Sequence, residues 1–264
     1  MSSLMIHKPT FRELISDASK CPKRYVAGLA GPWLGTPGRF VILCTSRTGS
    51  ELLVSLLNSH PQVVCDSEIL GHEVLFPRRF VEGRAVRARR YGARAYGFKL
   101  QVNQLLDVQR LGEPAAYLAS LHRRGHQIYR LRRRNLLKQV LSFARTKRSV
   151  THVAVGETHP LPGALEVDPA VLLAGLTHTE SLERSADNVL AGIPHTALVY
   201  EDDLADRPSQ RRTLDGMFEA LGVSRLEVQP ILVPTSPAHI SDSLSNYEVV
   251  ASVIGQTRFA EFLE

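Results

Sequence analysis

The chain has 264 residues, 44% of them hydrophobic and 22% charged, the proportions of an ordinary globular protein rather than of a disordered or fibrous one. Its three cysteines, Cys21, Cys44 and Cys65, show no paired spacing, which argues against a disulfide framework or a zinc ribbon. The net charge is +6. No run of 18 apolar residues occurs, so no membrane-spanning helix is expected.

The spacing of apolar and turn residues predicts a single domain over 1–264, with residues 1–39 as an N-terminal extension and 40–264 as the core. Met1 to Lys20 lacks the apolar stretch of a secretory signal. It reads as a short amphipathic helix, and a cytoplasmic location is expected. Phe40 to Cys44 is a continuous apolar run of the kind found in buried parallel strands. It stops at Thr45-Ser46-Arg47-Thr48-Gly49-Ser50. Leu52, Leu53, Leu56 and Leu57 then recur at helical spacing.

A strand, a Gly-containing polar turn and a helix form an anion cradle, because free N–H groups and the helix dipole meet at the turn. Arg47 adds a planar donor fork. The turn is not a standard P-loop, which needs a lysine after its second glycine. The ligand expected here is phosphorylated or sulfated.

Further strands are predicted at Gln62–Cys65, Ala95–Val102, Gln127–Leu131 and Thr196–Tyr200. Helices are predicted at Ala115–Arg124, Leu136–Lys147, Ala170–Ala191 and Pro208–Leu221, with one more from Asn246. Asp168-Pro169 makes a helix start, and Gly125 and Gly222 make helix stops. Val150 to Pro169, rich in Gly, Pro and His, reads as the longest stretch without regular structure. Cys44 and Cys65, in apolar strands, are expected to be buried thiols. Alternating strands and helices imply an α/β fold of three layers with a mainly parallel central sheet. A ligand is expected outside the carboxyl ends of its strands.

The charge is unevenly spread. Ala115 to Val150 holds ten Lys or Arg and no acid, and Gly71 to Ala95 holds seven arginines against Glu73 and Glu82. Such a field attracts anions. No aromatic interleaving or nucleic-acid motif accompanies it, so no nucleic-acid partner is expected.

The second diagnostic segment is Tyr129 to Arg145, YRLRRRNLLKQVLSFAR. Arg134 and Ser142 are eight residues apart, just over two helical turns. An arginine fork and a hydroxyl can together hold a terminal phosphate.

Together the two segments resemble the sulfotransferase superfamily, enzymes that use 3′-phosphoadenosine 5′-phosphosulfate (PAPS). The first is similar to its 5′-phosphosulfate loop and the second to its 3′-phosphate motif, R-[ND]-x6-S. Leu198-Val199-Tyr200-Glu201-Asp202 with Leu204, and FEALGV from Phe218, resemble the family's YEDL and FLG segments. Asn246-Tyr247, Thr257-Arg258-Phe259 and Phe262-Leu263 resemble the ending of its bacterial branch, which includes nodulation-factor and trehalose sulfotransferases.

The resemblance implies a P-loop-like fold and transfer of the PAPS sulfuryl group to an acceptor hydroxyl, with carbohydrates and glycolipids among the acceptors and no metal. Arg47 would bind the phosphosulfate, with Thr48, Gly49, Ser50 and Glu51 around it. The family has Thr or Ser where Glu51 stands, so that carboxylate is expected to point away from the anion. Arg134 and Ser142 would bind the 3′-phosphate. Glu68 is the candidate general base, with His72 in reserve, and Lys99 would hold the sulfuryl oxygens. The residues leave two other readings open, a P-loop nucleotide kinase or related NTP-using enzyme and a non-catalytic polyanion-binding protein. Acceptor specificity is expected in Gly71–Arg94 and Val150–Pro169.

Overall fold

The computed structural model describes residues 38–146, 153–154, 163–228, 232–233, 237 and 239–264. The expected N-terminal helix, Cys21 and most of 147–162 lie outside them.

Five strands form one sheet in the order β2-β3-β1-β4-β6, every pair parallel. They are β1 Gly38–Cys44, β2 Val63–Asp66, β3 Ala95–Gln101, β4 His126–Arg132 and β6 Thr196–Val199. Each expected strand is present, with ends moved by one or two residues. The helices are α1 Ser50–Asn58, α2 Pro77–Arg90, α3 Pro114–Arg123, α4 Leu136–Thr146, α5 Pro169–Leu190, α6 Tyr200–Asp203, α7 Arg207–Ala220 and α8 Tyr247–Ile254. No helix among the described residues is long and apolar enough to cross a membrane.

Side chains of β1 alternate between two cores. Val41 and Leu43 pack with Phe80 and Val81 of α2, Leu118 and Leu121 of α3, and Ala186 and Leu190 of α5. Phe40 and Ile42 pack on the other face with Leu53 and Leu57 of α1 and Leu214 and Phe218 of α7. This is the three-layer α/β arrangement: a parallel sheet must bury both faces, so it takes helices on each. Gly97 on β3 has no side chain because a Cβ there would collide with the Phe40 ring. A third core joins α4, the first half of α5 and α8 through Leu137, Leu141, Leu172, Leu176, Val250 and Ile254.

Three findings differ from expectation. Helix α2 runs through the arginine-rich stretch, burying Phe80, Val81, Ala85, Val86 and Ala88 on one side. Tyr200 belongs to α6 rather than to the strand, because the Asp203 carboxylate accepts from the Val199 N–H at 2.7 Å and turns the chain. Within the stretch read as unstructured, Val153–Ala154 (β5) pairs antiparallel with Leu232–Val233 (β7), and Leu165 bridges Leu244. Neither segment has the length that makes a strand visible in sequence. The thiols of Cys44 and Cys65 are buried as expected, and burial pushes the Cys44 thiol up to about 11.

Candidate active site

β1 is central, with β3 on one side and β4 on the other. The turn after Cys44 therefore opens at the carboxyl ends of three strands. Arg47 and Gly49 both adopt left-handed backbone conformations, with φ of 66° and 85°. Gly49 caps α1. A Cβ at this position would collide with the Tyr200 ring, so glycine is required here by conformation and by space. The N–H groups of the first turn of α1 have no intrahelical acceptors. Thr48 closes the turn by donating its hydroxyl to the Thr45 carbonyl at 3.2 Å.

A polar network under the turn holds it in place. Arg130 on β4 is buried and pairs with Glu183 at 2.5 Å and Asp187 at 3.2 Å, both on α5. The Thr45 hydroxyl donates to Glu183. Gln139 on α4 donates to the Thr45 hydroxyl at 2.8 Å and to the Ser46 carbonyl at 2.6 Å. A strand and two helices thus fix the start of the turn through hydrogen bonds to Thr45 and Ser46, although Gln139 Oε1 is buried without a partner among the described residues.

On the β4 side, the Arg47 Nε–H donates to the Ser142 hydroxyl of α4 at 3.0 Å. This contact joins the two segments singled out in the sequence. Arg133 lies over the Tyr200 ring, 5.1 Å from its centroid. Burial, and then the charge of Arg133, lower the pKa of the Arg47 guanidinium, while Glu51 opposes the shift. Arg134 is placed differently from Arg47: its guanidinium is exposed and pairs with Asp202. The N–H groups of Arg134 and Asn135 donate to the Glu201 carboxylate at 2.8 and 3.3 Å. Asn135 accepts from the Lys138 N–H at 2.9 Å and donates to the carbonyls of Phe262 at 3.0 Å and Glu264 at 3.3 Å.

On the β3 side, Lys99 is buried, with only 2% of its side chain exposed, and its ammonium pairs with both Glu51 and Glu68, the latter at 2.6 Å. Burial alone would lower its pKa, but the bonds to Glu51 and Glu68 outweigh that and hold it above its ordinary value. Glu51 also accepts from the Ser67 hydroxyl at 2.9 Å. Its carboxylate is thus committed to Lys99 and Ser67. Glu68 follows β2 in a left-handed conformation, with φ of 21°. It accepts from Gln101 at 2.7 Å and from Gln104 at 3.1 Å. β2 itself is anchored by Asp66, which binds Arg84 through both oxygens and accepts from Tyr96. His72 stands apart from this cluster, its ring edge-on to Phe80 at 6.3 Å.

Glu68, Lys99 and Glu51 therefore form one group, Arg47 and Ser142 another, and both border the same turn. Reading the sequence missed Arg130, Glu183, Gln139, Gln101, Gln104 and Arg133. Two of these had a visible signal: Arg130 stands between Tyr129 and Leu131, and Gln101 between Leu100 and Val102, each a polar residue flanked by apolar ones.

No protein-family model and no curated protein matches the chain. The solved structures similar to it at low identity include two sulfotransferases. The sulfotransferase domain from the Synechococcus PCC 7002 olefin synthase has a TM-score of 0.40 and 14% identity, over 74% of this chain and 76% of that one. A sulfotransferase from Alicyclobacillus acidocaldarius has a TM-score of 0.45 and 15% identity, over 87% of this chain and 95% of that one.

Proposed function

We propose that the chain is a sulfotransferase that takes the sulfuryl group of PAPS to an acceptor hydroxyl, with carbohydrates and glycolipids among the acceptors to be tried. The observation that carries the reading is the Arg47–Ser142 bond of 3.0 Å. It joins a 5′-phosphosulfate-like turn to the helix that carries the serine of the 3′-phosphate-like motif, as a donor with phosphates at both positions requires. Arg47, half-buried with Arg133 close enough to lower its pKa, suits an anionic group.

In this reading the acceptor oxygen attacks sulfur, and the bond from sulfur to the bridging phosphate oxygen breaks. The acceptor proton goes to Glu68, and 3′-phosphoadenosine 5′-phosphate (PAP) leaves. Arg47 and Lys99 offset negative charge that spreads over the sulfuryl and leaving oxygens, much as cations do in phosphoryl transfer. Thr48, Gly49, Ser50 and Glu51 contribute backbone N–H groups. Ser142 binds the 3′-phosphate, and Arg134 does so after exchanging Asp202 for it.

The test is thermal stabilisation by PAP against AMP, ADP and ATP. A ligand present at one hundred times its Kd adds about 2.7 kcal/mol of stability. A shift confined to PAP supports the reading. A larger shift with Mg-ATP would replace it with a nucleotide kinase. Salt-sensitive binding to polyanions without nucleotide selectivity would replace it with a polyanion-binding role.

A further inference from the structure

Glu68 is held more tightly than a carboxylate at a strand end requires. Its backbone is left-handed without being glycine, a strain of the kind that persists where surrounding contacts over-determine a position. Those contacts fall on both of its oxygens. Oε1 accepts from Lys99 at 2.6 Å and from Gln101 at 2.7 Å, and Oε2 accepts from Gln104 at 3.1 Å. The Gln104 amide is itself held by β3, since the backbone N–H of Gln101 donates to Gln104 Oε1 at 3.2 Å.

Gln101 is the residue that reaches both ways. It lies opposite Cys44 in the β1–β3 register, beside the start of the turn. Its Oε1 accepts from the Ser46 hydroxyl at 2.8 Å, while its Nε2 donates to Glu68. The reversed amide would set a carbonyl against a carboxylate, so one orientation is favoured. Ser46 has a single hydroxyl proton. If that proton goes to an anion seated on the turn, Gln101 loses its donor and its amide is free to move against Glu68.

We propose that Gln101 is a positioning residue that couples the anion turn to Glu68, so that a filled turn and an empty one hold this carboxylate differently. This deepens the proposed function and rests on it for the role of Glu68. Proton removal from the acceptor then becomes conditional on a bound donor.

The experiment is carbon-13 NMR of protein labelled in its glutamate carboxyls, with Glu68→Gln identifying the resonance and PAP as the probe. In the ligand-free protein, Ser46→Ala and Gln101→Leu should each move the Glu68 signal. PAP should move it in the wild type and leave it in place in Gln101→Leu, although PAP still stabilises that variant. In turnover, Gln101→Leu should lower kcat by about a hundredfold, the order expected of a misplaced reacting group, with the donor KM within about twofold. Should Gln101→Leu not fold, Ser46→Ala carries both NMR arms. A Glu68 signal that is the same in all ligand-free proteins, or a PAP response that survives in the variant, overturns the proposal. If PAP neither stabilises the wild type nor moves any signal, the nucleotide reading falls, while the ligand-free comparison still decides whether Gln101 holds Glu68.

Discussion

Arg47 and Ser142 are 95 positions apart in the chain, yet the Nε–H of one donates to the hydroxyl of the other at 3.0 Å. The bond spans the turn after β1 and the helix after β4, and it orients the Arg47 fork. Arg47→Ala should abolish transfer, and full activity without that side chain would remove the residue from the chemistry. Ser142→Ala should weaken PAP binding by about tenfold, the loss expected for a hydrogen bond to a charged group, and should affect AMP much less. Isothermal titration with the two nucleotides measures both effects.

Arg134 gives a separate test. Its guanidinium already has a carboxylate partner in Asp202. Arg134→Ala should reduce the preference for PAP over AMP, and Asp202→Asn should raise PAP affinity by freeing the guanidinium. Unchanged discrimination in Arg134→Ala would assign the 3′-phosphate to other cations, with Arg133 the first to examine.

Lys99 stands between two carboxylates. Replacing it with methionine keeps its length and leaves Glu51 and Glu68 uncompensated. Breaking a buried pair costs about 3–5 kcal/mol, and the partial exposure of both carboxylates places the expected loss at the lower end. Adding Glu51→Gln should recover part of it. The stabilisation from Lys99 is present in full below its unfolded pKa, because its folded value is raised, and it should fade only as pH rises through that folded value. Urea unfolding of the single and double variants checks the first point, and alkaline unfolding checks the second.

How much of this arrangement the sequence reveals depends on how locally each part is encoded. β1 and its turn are readable because five consecutive apolar residues are followed by a polar turn with a glycine, Gly49, that the fold cannot replace. Lys99 and Glu68 are readable because they are charged residues close to the carboxyl ends of β3 and β2. Helix α2 is hidden because its apolar residues are interleaved with Arg78, Arg79, Arg84, Arg87, Arg89 and Arg90, which mask the helical period although Pro77 marks its start. Gln101, Gln104, Gln139 and Glu183 carry no motif. Each acquires its role only when the sheet order places β3 and β4 on either side of β1 and lays α4 and α5 against them. Arg134 is the instructive case: its spacing from Ser142 is regular, but a surface acid takes its guanidinium.

His126, buried at the start of β4, gives a prediction about stability rather than turnover. Burial, and then the charge of Arg39, lower its pKa to about 4, against an opposing hydrogen bond to Leu121. Between pH 6.5 and about 4 the unfolded chain takes up a proton that the folded chain does not, so stability should fall as pH drops through that window. The loss approaches roughly 3 kcal/mol at its lower end. His126→Asn keeps a donor for the Leu121 carbonyl and should flatten the profile. Thermal melts from pH 7.5 to 4 check this, and parallel curves for the two proteins would refute it.

Asn135 connects the neighbourhood of Arg134 to the carbonyls of Phe262 and Glu264. The last residues of this sequence are therefore physically adjacent to the helix start that carries the phosphate motif. A change in the backbone path at Phe262 or Glu264 is in effect a modification of that helix start.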